Sequence, residues 1–114
     1  MGKSLGDLEQ MILFSLISLG EDAYGASIRR EIVGRTGKEV SAGAVYTVLE
    51  RLESGGLVAS RVGEPTPERG GRRRKHYRIR PDGARLLQAT QERMRQMADG
   101  LGSRLKDLAL RGEP

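Results

Sequence analysis

The segment from Ser41 to Gly56 constrains the chain most. Ser41 is a strong helix N-cap, Val45, Val48, Leu49 and Leu52 fall at i, i+3, i+4 and i+7, and Gly55-Gly56 ends the run. This describes a short helix with one buried stripe and an outward face of Ala42, Gly43, Tyr46, Thr47, Glu50 and Arg51. An extended stretch, Leu57–Val62, follows at once, then a turn-rich run of Gly, Pro and Glu. Lys75–Arg80 then alternates, with Tyr77 and Ile79 on one face and His76, Arg78 and Arg80 on the other. A helix running straight into a two-stranded hairpin leaves few architectures open.

The flanking segments narrow them further. Leu5–Leu19 carries Leu5, Leu8, Met11, Ile12, Leu16 and Leu19 at helical spacing, and Leu13, Phe14 and Ile17 make it apolar on the other sides too. Such a helix needs more than one partner surface, its own domain and another subunit. A second helix is expected from Ala23 or Tyr24 to about Arg35, with Asp22 as N-cap, Ile28 and Ile32 inward, and Thr36-Gly37 as its end. Lys38-Glu39-Val40 reads as a short extended link, one rung of a small sheet. Pro81 suits the first turn of a last helix reaching Leu110, in which Leu87, Met94, Leu101 and Leu108 recur every seven residues. Met97, Ala98 and Leu105 fill the adjacent rows, while Gly100 and Gly102 interrupt the seam and predict a kink. Nothing else in the chain is left to bury that seam, so self-association is expected.

The order helix, helix, helix, hairpin, helix is the winged helix-turn-helix plan: mainly α (α+β), with residues 1–80 as the DNA-binding part and 81–114 as a dimerisation helix. Charge supports a nucleic-acid partner. Arg61–Arg80 holds eight cations against Glu64 and Glu68, an excess of six, whereas the whole chain of 114 residues carries +5, so the remainder sums to −1. A positive excess confined to one hairpin is built to meet a polyanion. A solvated basic loop is the alternative, and a winged-helix module that docks protein is the rival function. Single-stranded RNA readers need an aromatic platform that this chain, with three Tyr, one Phe and no Trp, does not supply.

Composition removes other classes. The chain has no cysteine, which excludes disulfides and thiolate chemistry, and its one histidine, His76, lies in a cationic strand unsuited to a metal or a general base. No catalytic residues, metal or cofactor are expected, and Met11–Leu19 is far shorter than the roughly 20 apolar residues a bilayer needs. A cytoplasmic protein is expected.

Several stretches together resemble the PadR family of bacterial transcription regulators: Leu5-Gly-Asp-Leu-Glu-Gln, Tyr24-Gly, Ser41-Ala-Gly-Ala-Val-Tyr-Thr-Val-Leu-Glu-Arg-Leu-Glu, Gly56-Leu-Val and Gly71-Arg-Arg-Arg-Lys-His-Tyr-Arg-Ile-Arg-Pro-Asp-Gly. The resemblance runs from about Leu5 to Leu110 and is similar to the small subclass with a single C-terminal helix. It implies that Ser41, Gly43, Tyr46 and Thr47 face DNA, that Arg72, Arg73, Arg74 and Lys75 form the basic wing, and that Tyr24 touches backbone phosphate. For Tyr46, packing under the wing is the competing role. The resemblance also implies a homodimer on a pseudo-palindromic operator, with the first and last helices at the interface. Leu8, Ile12, Leu87, Met94, Met97, Leu101, Leu105 and Leu108 are the residues expected there. It further implies a repressor, with release by a small aromatic or drug-like effector as the mode of control. The chain departs from the family pattern at His76, where Tyr is common, and at Arg80, where Ser or Thr often caps the last helix.

Overall fold

The computed structural model describes residues 5–63 and 74–112. Its elements are α1 (Asp7–Leu19), a 3-10 turn (Gly20–Asp22), α2 (Gly25–Thr36), α3 (Ala42–Ser54), β1 (Val58–Val62), β2 (Lys75–Ile79), α4 (Pro81–Ala98) and α5 (Gly102–Leu110). The fold is a winged helix.

Helix α1 is the central strut. Ile12, Leu13 and Leu16 are buried in a core shared with Ile28 and Ile32 of α2, Val45, Leu49 and Leu52 of α3, Tyr77 of β2 and Leu87 of α4. Phe14 and Ile17 on its other side stay exposed. Helix α3 forms as its pattern predicts: the Ser41 hydroxyl accepts from the Ala44 amide at 3.1 Å, and Val45, Val48, Leu49 and Leu52 are its buried residues.

The hairpin is antiparallel, with Val58 opposite Ile79, Ser60 opposite Tyr77 and Val62 opposite Lys75. Its other edge is covered by the chain entering α2. Tyr24 bridges to His76, and the Tyr77 amide donates to the Ala23 carbonyl at 2.9 Å. This corrects two expectations. The added rung comes from Ala23-Tyr24, and Lys38–Val40 is not a strand. The N-cap of α2 is Tyr24, not Asp22, because pairing with β2 holds Tyr24 extended (φ −138°, ψ 171°) immediately before the helix. The Ser27 hydroxyl satisfies the turn, accepting from the Tyr24 amide at 2.9 Å and lying 2.6 Å from the Asp22 carbonyl.

The last helix divides. Its first half docks: Arg80 donates its amide to the Leu57 carbonyl at 2.9 Å, and Gly83 passes so close to that carbonyl that a Cβ there would collide with it. Leu87 and Thr90 are buried, and Gln91 donates to Gln10 of α1 at 2.6 Å. α4 then stops at Ala98, the chain turns through Asp99 and Gly100 (φ 74°), and α5 begins at Gly102. The single helix expected from Pro81 to Leu110 is therefore two, and the seven-residue seam does not run as one line. No residue of α5 is buried. The radius of gyration, 17.1 Å, exceeds the ~13 Å of a compact chain of this length, and the long axis reaches 55 Å against 34 and 21 Å. The end of α4 and all of α5 form an arm that finds no cover in its own protomer.

Candidate nucleic-acid interface

The outward face of α3 is uninterrupted. Ser41, Ala42, Gly43, Tyr46, Thr47, Glu50 and Arg51 are all exposed, while the opposite face is locked in the core. Gly43 has nothing within 4 Å of the place its Cβ would occupy. The first turn thus offers small groups at the positive end of the helix, the end that favours phosphate. Tyr46 sits at the edge of this face, 48% exposed. Its ring leans on the start of α2: a Cβ at Gly25 would lie 2.8 Å from the Tyr46 hydroxyl and 3.0 Å from Cζ. The packing partner of Tyr46 is therefore α2, whereas packing under the wing was the expected alternative.

Tyr24 is the junction between α2 and the wing. Its ring meets His76 edge-on at 5.5 Å between centroids, and the Arg74 guanidinium lies over it at 4.3 Å from the centroid. Arg30 of α2 donates to its hydroxyl at 3.0 Å. At the top of the hairpin the Gly63 amide donates to the Arg74 carbonyl at 2.7 Å. Lys75 is drawn partly inward, with Nζ 3.8 Å from Glu53 Oε1 and 5.8 Å from the Tyr77 ring centre. Glu53 also accepts from Ser60 at 2.5 Å, which ties the end of α3 to β1. Arg72 and Arg73 lie outside the described residues. The wing base therefore divides its cations: Arg74 and Lys75 have intramolecular partners, while Arg78, on the strand face opposite Tyr77, and Arg80, just ahead of α4, are exposed.

Contacts of α2 reach the residue ahead of the recognition helix and, on the other side, α1. Arg29 Nε donates to the Val40 carbonyl at 3.0 Å, immediately ahead of the Ser41 cap. Ser18 of α1 donates to Glu31 of α2 at 2.6 Å, and Arg35 joins the same carboxylate. The Ser18 hydrogen bond, then the Arg35 contact, hold the Glu31 carboxyl below its ordinary pKa. Burial first, then the negative field of Glu53, pushes the Tyr77 hydroxyl above its ordinary value.

The expected interface residues separate into two groups. Ile12 and Leu87 lie in the protomer's own core, 0% and 4% exposed, which corrects their assignment to a subunit interface. Helical spacing alone could not say which of two apolar faces was internal. Leu8 is partly buried against the same core. Met94, Met97, Leu101, Leu105 and Leu108 are exposed, and Phe14 and Ile17 of α1 belong with them. Sequence reasoning also passed over Arg29 and Arg30, whose roles arise from contacts distant along the chain.

Among the described residues no group of three His, Asp or Glu is arranged to hold a metal, and no helix is long and apolar enough to cross a membrane.

An exposed helix face beside a two-stranded wing defines the winged-helix class of fold. A winged-helix DNA-binding protein from STIV shares the fold, with a TM-score of 0.62 and 19% identity over 80% of this chain and 90% of that one. Residues 13–89 match the model of the transcriptional regulator PadR-like family, and the chain belongs to that family. A PadR family transcriptional regulator from Eggerthella lenta aligns with a TM-score of 0.68 and 29% identity, covering 86% of this chain and 80% of its own. A PadR family transcription regulator from Clostridium difficile aligns at 0.68 with 26% identity, covering 88% and 99%. No curated protein sequence matches the chain. The chain is a transcriptional regulator and not an enzyme.

Proposed function

We propose that this regulator is a cytoplasmic homodimeric repressor that reads a near-palindromic operator, one α3 per half-site. The observation that carries the reading is the exposed, small-residue leading turn of α3 beside the cationic wing. The major groove admits one helix, and its walls are phosphate. Ser41, Gly43, Tyr46 and Thr47 then approach base edges, while Tyr24 and the Arg72–Lys75 run engage the backbone and set register. With so few long polar side chains on the reading face, discrimination per subunit is modest, and pairing two subunits supplies the rest.

Residues 1–80 act as the DNA-binding part, and the segment from 81 onward makes the dimer. Met94, Met97, Leu101, Leu105 and Leu108, with Leu8, Phe14 and Ile17, form its contact. An apolar surface of this extent on a regulator supports a subunit interface. An open groove of about 630 Å³ between α1 and α4, lined by Phe14, Ile17, Leu87 and Gln88 among others, is the place for a small aromatic or drug-like effector to alter the spacing of the two wings.

An electrophoretic shift on DNA upstream of the protein's own gene tests the reading. A retarded complex that survives excess random duplex is expected. Binding to a protein partner with no DNA shift would overturn it in favour of a protein-docking module.

A further inference from the structure

Tyr24 gathers two guanidiniums from elements far apart in sequence. Arg30 of α2 reaches its hydroxyl at 3.0 Å and lies 5.8 Å from the ring centre, while Arg74 at the wing base lies 4.3 Å over the same ring. Like charges brought to one platform repel, and the ring face offsets only part of that repulsion. Neither arginine is ion-paired among the described residues. The hollow they border, about 420 Å³, is lined also by Asp22, Ser27 and Glu31. Glu31 is already engaged by Ser18 and Arg35, so among the described residues lining the hollow Asp22 is the carboxylate left to set against two guanidiniums. Tyr24, which lines the hollow, directly precedes Gly25, on which Tyr46 of the recognition helix rests.

We infer that Arg30 and Arg74, held on Tyr24, form a clasp for a single backbone phosphate of duplex DNA flanking the bases that α3 reads. The clasp adds Arg30 to the interface, joins α2 to the wing, and rests on the DNA-binding reading above. Arg74 over the ring keeps its planar edge for a phosphate oxygen, and Arg30 spends one N–H on the Tyr24 hydroxyl and keeps the others, so the platform fixes direction and leaves donors available. Tyr24 then positions both arginines beside its own backbone contact. The contact is sequence-independent and sets where along the duplex α3 is placed.

The test is the salt dependence of binding to a random-sequence duplex and to the upstream DNA, followed by fluorescence anisotropy for the full chain, R30Q, R74Q and Y24L. Loss of one phosphate contact lowers the slope of log affinity against log salt by about 0.9 and the affinity near 0.1 M salt by roughly 5–10-fold, on both duplexes alike. R30Q and R74Q are each expected to do this with an unchanged melting temperature, since Arg30 is exposed and its loss empties no core. Y24L is expected to lower the slope at least as much as either. An R30Q protein that binds both duplexes as the full chain does, or that loses affinity with an unchanged slope, overturns the clasp. Loss of slope in R74Q alone also overturns it and leaves the wing as the phosphate contact. If the unaltered chain binds neither duplex, the DNA-binding reading fails as well, so the two failures are distinguishable.

Discussion

The hydroxyl of Tyr46 rests on the backbone of Gly25, where any side chain would intrude: a Cβ there would stand 2.8 Å from the hydroxyl oxygen and 3.0 Å from Cζ. The first residue of α2 and the middle of the recognition helix are thus fitted to each other. Gly25→Ala must push Tyr46 outward or part the helices, and overpacking of this kind costs about 1–3 kcal/mol. For a domain of this size, a fall in melting temperature of several degrees per kcal/mol is expected. Because Tyr46 moves on the α3 face, DNA affinity should fall beyond what lost stability explains. Tyr46→Phe removes the nearest atom, so the double variant should recover part of the melting temperature. A thermal-melt double-mutant cycle measures that coupling.

Gly43 makes the opposite prediction. Nothing stands within 4 Å of its missing Cβ, so Gly43→Ala fits the free protein without strain. Alanine is a better helix former by up to about 1 kcal/mol, and the melting temperature should rise. If α3 approaches DNA with that turn, the added methyl meets the duplex and affinity drops several-fold. A stabilised variant with unchanged DNA affinity would move the reading surface away from the N-terminal turn.

The arm predicts its own outcome. Leu105 is 67% exposed in the protomer, so Leu105→Asp leaves the winged-helix core intact. If α5 packs on a second subunit, the variant should keep its circular dichroism spectrum and sediment as a monomer. Operator binding should be lost with the dimer, since one half-site contact alone is weak. A dimer that persists would place the interface elsewhere.

Two groups frame the stability profile with pH. Glu31 titrates below its ordinary value, so its contribution is full above the usual carboxylate range and is lost as pH falls through the lowered value. Tyr77 titrates above its ordinary value of 10.0, so its contribution is full below that pH and is lost as pH rises toward the raised value. Melting temperatures should therefore decline at both ends. Glu31→Gln should flatten the acid limb alone, and Tyr77→Phe the alkaline limb alone.

Much of this was legible in the residues, and the exceptions share a cause. The Val45, Val48, Leu49, Leu52 stripe and the Tyr77, Ile79 alternation are periodic, and local periodicity reports directly which side of an element is buried. The Asp22 cap was misplaced because the start of α2 is decided by pairing with β2, fifty residues downstream, which overrides local cap preference. Ile12 and Leu87 repeat at the same spacing as exposed neighbours, and a repeat cannot say whether the surface opposite belongs to the same chain. Gly100 and Gly102 marked a weak point, but the heptad spacing of Leu101 and Leu108 argued for continuity, and the turn at Asp99-Gly100 prevailed. The Tyr24 platform was half visible: the Tyr24-Gly25 pair stood out, while Arg30 and Arg74 join it only in three dimensions.

The most direct test of the account is the stoichiometry of the complex. Analytical ultracentrifugation of the chain titrated into a short duplex from its upstream region should give one species carrying two protomers per duplex. Its half-sites should lie about one helical turn, roughly 34–36 Å, apart or a multiple of that distance. A single protomer per duplex, or a chain that sediments free beside unbound DNA, would contradict the claim that two weakly discriminating α3 helices read DNA together.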